Sequence, residues 1–351
     1  MPPSVRSKRP SLEEVALLAG VSRATVSRVV NGSPTVDPAM KERVDVAVRE
    51  LGYQPNLSAR ALVRNRTDTL ALVVSEPDVR VFGDPFFSGI IRGVTSEAGS
   101  AGLQVVILLA QSDEDHERIE RYVRSGAADG VLLISEHAGL DPLPQSMVDA
   151  GMPIVIGGRP HDETLDVLFV DNDNVHGGHL AARRLMDIGR RRIGTVAGPR
   201  DMTAGTDRLD GFRAELGERF DAGLVEHGEF TQASGEAAAD RLLATAPDLD
   251  GIFAASDLMA LGAITALRRA GRRIPQDVAV VGFDDIEVAA SAAPPLTTVR
   301  QQTVLQGRAM VRLLLAHTRP DLKLLPIDAI PSAEGLTHLL LPVELVARES
   351  A

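Results

Sequence analysis

Cysteine and tryptophan are both missing from this chain. Without cysteine there is no disulfide framework and no thiolate metal site, and a reducing compartment suits it. Aromatic residues make up only 3%, so any cluster of them carries information. No run approaches the roughly 20 apolar residues of a membrane span. The opening segment, MPPSVRSKRP and the ten residues after it, has no apolar core ahead of a cleavage site, so the expected location is cytoplasmic. The eight histidines are not clustered at metal-ligand spacing. Common enzyme motifs are absent too. The turn after the first apolar run reads SEPDVR rather than G-x-G-x-x-G, and neither G-x-S-x-G nor H-E-x-x-H occurs. No cofactor, no catalytic group and no membrane partner are expected.

What is present is divided in two. The 351 residues exceed what one core usually serves, so two or three domains are expected. The formal net charge of −11 hides an asymmetry. Residues 1–66 carry 11 basic and 6 acidic side chains, leaving 26 basic against 42 acidic for the rest. A small basic head joins a large acidic body, and each sign is read separately.

In the head, Leu12, Val15, Ala16 and Ala19 share one helical face. Ser11 and Glu14 have the spacing of a capping box, and Gly20 suits a left-handed helix end. Ser22 caps a second helix with Val26, Val29 and Val30 inward. Arg23, Ala24, Ser27 and Arg28 are left outward. Asp37-Pro38 starts a third helix whose inner face is Met40, Val44, Ala47, Val48 and Leu51, and Gly52 closes it. Two short helices joined by a glycine turn describe a helix-turn-helix. Its second helix would enter a major groove, Arg23 and Arg28 addressing guanine and Ser22, Thr25 and Ser27 addressing phosphates. The alternative is a plain three-helix bundle with a basic face. Beyond Pro55, Asn56 caps one or two further turns carrying Leu57, Ala61 and Leu62 beside arginines. These form either a minor-groove wedge or an ordinary linker.

From Leu70 short apolar runs alternate with helical stretches, as in parallel sheets buried on both faces. The runs are 70–74, 103–109, 130–134, 153–157, 168–171, 192–198, 251–255 and 278–283. The length suggests two doubly wound sheets. Ligands bind at strand carboxyl ends in such sheets. There the sequence places Ser75 and Glu76, then Ser135, Glu136 and His137, then Arg159, Asp171, Asn172, Ser256, Asp257, Asp284 and Asp285. Phe82, Phe86 and Phe87 cluster in FGDPFF. Flat apolar rings with many hydrogen-bonding groups suit a neutral polyhydroxylated ligand such as a sugar. Taken singly, each polar residue could equally be a helix cap.

The stretches VSRATVSRVVNG, ERVDVAVRELGYQPN and SARAL resemble the lactose/galactose repressor family of bacterial transcription regulators. DRLDGF, ASDLMALGAITAL, VAVVGFDD and PPLTTVRQ extend the resemblance along the body. It implies an all-α helix-turn-helix head and a body of two periplasmic-binding-protein-type subdomains with a ligand cleft between them. The implied divisions are 1–53 for the head and 54–67 for the hinge. The first subdomain takes 68–168 and 302–333, and the second takes 169–301 and 334–351. The resemblance implies base reading by Arg23, Ala24 and Arg28 and DNA-backbone contacts by Tyr53 and Asn56. It also implies insertion of Leu62 at the centre of a palindromic operator. Asn31 and Ala59 complete that set. In the body it implies that Arg208, Asp257 and Asp284 hold effector, with Ser256 beside them, and that Phe230 stacks on a sugar. Gln301 is expected near the hinge between the lobes. VVSE, DPFFSGI, VLLIS, VIGGRP and AGPRDMTAG look most like the cellobiose-responsive repressors. The expectation is a homodimer or higher oligomer that a small sugar, cellobiose or a related β-glucoside, releases from double-stranded operator DNA. The alternatives are a stand-alone sugar-binding protein and a regulator whose effector acts as co-repressor.

Overall fold

The computed structural model describes residues 10–30, 35–54, 66–135, 137–139, 141–162, 164–322 and 337–351. They form two compact units, Met1–Thr67 and Asp68–Ala351.

In the first unit, helix α1 (Leu12–Ala19) starts on the expected capping box. The Glu14 amide donates to Ser11 Oγ at 3.3 Å, and the Ser11 amide donates to Glu14 Oε2 at 2.7 Å. Gly20 ends it at φ 63°, a left-handed conformation that glycine adopts without strain. Helix α2 (Arg23–Val30) begins with the Thr25 amide donating to Ser22 Oγ at 3.1 Å. Helix α3 (Pro38–Leu51) is capped by Asp37. Val15, Ala19, Val26, Val29, Val44 and Ala47 meet in one core. Met40 differs from expectation. It is 41% exposed, because it lies one turn ahead of Val44, where α3 first reaches the core.

The second unit starts with β1 (Thr69–Val74), α4 (Asp78–Gly83), α5 (Pro85–Ser100), β2 (Gln104–Leu109) and α6 (Asp113–Tyr122). Next come β3 (Gly130–Ile134), α7 (Leu143–Asp149), β4 (Ile154–Gly157) and β5 (Leu168–Asn172). The chain continues through α8 (Asn174–Asp187), β6 (Ile193–Ala197), α9 (Thr203–Leu216), β7 (Val225–His227), α10 (Gln232–Thr245) and β8 (Gly251–Ala254). Then follow α11 (Asp257–Arg269), β9 (Ala279–Asp284), α12 (Glu287–Ser291) and β10 (Thr297–Arg300). It ends with α13 (Thr303–Thr318), β11 (His338–Leu341) and β12 (Glu344–Val346).

Two six-stranded sheets result, ordered β11-β5-β4-β3-β1-β2 and β12-β10-β9-β8-β6-β7. Pairing is parallel except between β12 and β10. Each sheet carries its own core and makes one lobe. β1, β3 and β8 are buried along nearly their whole length, which is why their sequences are unbroken apolar runs.

The chain passes between lobes three times, from β5 to α8, from β10 to α13 and from β11 to β12. The expected divisions at 168/169 and 333/334 fall short of two of these passages. β5 pairs with β4 and β11, and β11 pairs with β5, so both strands belong to the first lobe. The passages are laced together. The Gln302 amide donates to Asn172 Oδ1 at 2.8 Å, Asn172 Nδ2 donates to Gln306 Oε1 at 2.9 Å, and the Asp173 amide donates to the Leu341 carbonyl at 2.9 Å.

Helices α8 and α9 touch backbone to backbone. A Cβ added at Gly178 would lie 2.2 Å from the Arg208 carbonyl oxygen, and one at Gly211 would lie 1.9 Å from that of Val175. That contact fixes where Arg208 stands.

Candidate functional site

On α2, Val26 and Val29 are buried while Ser22, Arg23, Ala24 and Arg28 are exposed and Thr25 and Ser27 half-buried. This is the split expected from the sequence. Arg23 Nε lies 3.0 Å from Glu13 Oε1, an exposed pair in high dielectric that binds weakly. Tyr53, expected to contact the DNA backbone, is packed in the head core at 8% exposure. Asn31, Asn56, Ala59 and Leu62, together with residues 55–65 of the hinge, lie outside the described residues.

In the second unit, strand ends from both lobes converge on a cleft. The first lobe supplies Arg80, Asp84, Phe86, Ser135, Arg159 and Asp171. The second supplies Asn174, Met202, Thr203, Arg208, Phe230, Ser256 and Asp284, and the second passage supplies Gln301 and Gln306. Three non-glycine residues lining it have positive φ: Ser135 at 62°, Phe230 at 53° and Asp284 at 118°. Among the described residues only two other non-glycines do. Such strain gathers at functional sites, where the surrounding structure holds it in place.

Arg208 is the centre of the arrangement. It is 4% exposed. Its Nε donates to Asn174 Oδ1 at 2.8 Å and its Nη1 to the Ala255 carbonyl at 2.6 Å, with Asp284 Oδ1 at 3.6 Å. Its guanidinium stacks 3.7 Å from the Phe283 ring centre and 5.6 Å from that of Phe230. Burial pulls the Arg208 pKa down, opposed by Asp284 and Asp171. Burial also raises the facing carboxyls. Asp171 is pushed up to about 6 although the Asn172 and Arg159 amides hydrogen-bond to it. Asp284 and its neighbour Asp257 are both raised, burial being the larger cause for each. Gln301 Nε2 donates to Asp284 Oδ1 at 2.6 Å. A fixed donor, several acceptors and the Phe230 ring in one cleft suit a ligand rich in hydroxyl groups.

Several contacts tie the lobes across the cleft. Arg159 donates to both Asp207 oxygens, at 3.1 and 2.6 Å, and Thr203 Oγ1 donates to the Arg159 carbonyl at 2.7 Å. His137 sits between Glu76 of its own lobe at 3.2 Å and Asp201 of the other at 2.8 Å. The Glu76 hydrogen bond is the main reason its pKa rises to about 9, against the opposing effect of burial.

Comparison with known proteins follows the two units. The profile of bacterial regulatory proteins of the lacI family matches residues 11–56, and that of the periplasmic binding protein-like domain matches 182–351. Over 314 residues the chain is 52% identical to the HTH-type transcriptional regulator CelR of Thermobifida fusca, covering 88% of this chain and 92% of that one. The chain belongs to the lacI family of bacterial regulatory proteins. As a member it is a DNA-binding transcriptional regulator and not an enzyme. It is 33% identical to the transcriptional repressor CytR of Escherichia coli (strain K12), over 87% of this chain and 89% of that one. Among solved structures, a transcriptional regulator CelR–cellobiose complex matches with a TM-score of 0.75 at 48% identity, over 98% of this chain and 100% of that one. The lac repressor dimer bound to operator and an anti-inducer matches with a TM-score of 0.83 at 25% identity, over 98% and 99%.

In this lacI-family body, seven of the residues expected to hold effector line the cleft: Phe86, Ser135, Arg159, Arg208, Phe230, Ser256 and Asp284. Four do not. Phe82 is 81% exposed, and Phe87 is fully buried with its ring edge-on to Phe86. Asp257 lies beneath the cleft, accepting from Thr298 Oγ1 at 2.6 Å and the Ile286 amide at 2.9 Å. Glu76 faces a neighbouring cavity. Arg80, Asp84, Asn174, Thr203 and Gln306 were not read from the sequence. Asp84 was legible only as a helix cap before Pro85, and Asn174 only as part of DNDN.

Proposed function

We propose that this regulator is a cytoplasmic homodimeric repressor of carbohydrate-utilisation genes, released from a palindromic operator by a small sugar. Residues 1–53 form the DNA-binding part, with 54–67 as hinge. Arg23, Ala24 and Arg28 read bases, Ser22, Thr25 and Ser27 hold phosphates, and Leu62 opens the central step. Asn31, Tyr53, Asn56 and Ala59 support these contacts. The sugar rests between the lobes on Arg208, Asp284, Ser256, Ser135 and Arg159, with Phe86 and Phe230 against its ring faces. The single observation that carries this reading is the buried Arg208, facing raised carboxyls and an aromatic ring in one cleft. The likeness to a CelR–cellobiose complex supports cellobiose or a related β-glucoside as effector. The likeness to an operator-bound lac repressor dimer supports the two-fold arrangement.

Sugar and operator then oppose each other reciprocally, with a coupling of about 1–3 kcal/mol. A mobility shift on the DNA upstream of the protein's own coding region, with a panel of mono- and disaccharides, tests this. Release by one of the sugars is expected. Retention with every sugar refutes induction, and tighter binding with one of them identifies a co-repressor instead.

A further inference from the structure

Past Arg80 the cleft meets a second cavity of about 800 Å³, lined in common by Arg80, Asp84 and Phe230. The inner compartment measures about 70 Å³. The outer chamber by itself has the roughly 300–1,000 Å³ of a pocket that takes a small ligand. The divider is one side chain. The Arg80 guanidinium lies 5.3 Å from the Phe230 ring centre and 5.9 Å from that of Phe87, and it donates to Glu76. Its Nε is buried with no hydrogen-bond partner among the described residues. The chamber wall holds a second orphan. Both ring nitrogens of His116 are buried without a hydrogen-bond partner, the nearest carboxylate, Asp141, standing 3.9 Å away. Buried polar atoms in native proteins are normally satisfied, and both of these residues line the chamber. Val79 and Leu258 add apolar surface to the same wall.

We propose that the outer chamber binds the glycosyl units of an oligosaccharide that extends past Arg80, so that the regulator favours a β-linked gluco-oligosaccharide of three or more rings over the disaccharide. This rests on the reading of the inner cleft as a sugar site. Arg80 swings off Phe230, the ring face it covered takes a sugar, and His116 pairs with hydroxyls of the distal unit.

Calorimetry on the full chain with β-1,4-linked glucose oligomers from the disaccharide to the tetrasaccharide tests the inference. The trisaccharide is expected to bind at least about tenfold more tightly than the disaccharide, a gain of about 1.4 kcal/mol. Gln111→Trp fills the chamber rim away from the inner cleft. It is expected to bring the trisaccharide back to the disaccharide's affinity while leaving the disaccharide within about twofold. His116→Phe keeps the volume and is expected to lose part of the gain. Equal affinities for both sugars in the wild type, or equal weakening of both by Gln111→Trp, overturns the inference while leaving the inner site standing. If no oligomer binds at all, the sugar reading of the inner cleft falls and this inference with it.

Discussion

Arg208 spends its hydrogen bonds on Asn174 and the Ala255 carbonyl and its planar face on Phe283. It is therefore held rigid before any ligand arrives, which lowers the ordering cost of binding. Charge-assisted hydrogen bonds are worth about 1.5–3 kcal/mol each. Arg208→Ala is expected to weaken sugar binding by about 10- to 150-fold while operator binding persists, measured by titrating sugar into the operator complex. Unchanged release at the wild-type sugar concentration would remove Arg208 from the site. Asp171 yields a pH test. Its folded pKa of about 6 lies above the ordinary carboxylate value, so the folded state holds the proton to higher pH. Its contribution is therefore favourable in acid and is lost as pH rises from about 4 to 6, by roughly 3 kcal/mol. Asp171→Asn should flatten that part of the stability curve, read from urea midpoints of both proteins. At this scale the sequence named residue types well and directions poorly. Phe82 and Phe87 flank Phe86 closely in sequence, yet the turn between α4 and α5 sends one to solvent and the other into the core.

At the scale of the element, the eight apolar runs read from the sequence are all strands, with ends within two residues. The four strands not read are β7, β10, β11 and β12. They are three or four residues long, and VEH, TTVR, HLLL and ELV lack a long apolar signal. Three of them lie at sheet edges, where one side of the backbone is unpaired and burial is partial. Missing β11 is what misplaced the division at 333/334. Helix packing, by contrast, is written in glycines. Gly178→Ala puts a methyl group into the Arg208 backbone. It is expected to cost about 1–3 kcal/mol by overpacking and to weaken sugar binding by displacing α9. The paired measurement is the denaturation midpoint with and without sugar. A normal midpoint shift on adding sugar would show that Arg208 has not moved.

For the body as a whole, the balance between closed and parted lobes rests on a few polar ties. The His137–Asp201 contact is one that titrates above neutrality. The folded pKa of His137 is raised to about 9, so its stabilisation is complete below the ordinary histidine value and disappears as pH rises through 9. His137→Gln is expected to loosen the lobes at pH 7 and to change nothing at pH 10, measured by limited proteolysis of the body. A difference that persists at pH 10 would assign the effect to packing instead. The two-unit organisation was legible from charge and periodicity. The cross-lobe ties were not, because Asp201 and Asp207 carry no local signal and meet their partners only through the fold.

The three laced passages between lobes have a mechanical consequence. A body joined to another by one strap can swing, twist and slide. Three straps, cross-linked through Asn172, Gln302, Gln306 and Leu341, suppress twist and slip and leave a swing about one axis. A ligand in the cleft then has a single coordinate to push on. Work done there is not dissipated into sideways play, so a displacement the size of a sugar ring is returned as a rotation of fixed direction.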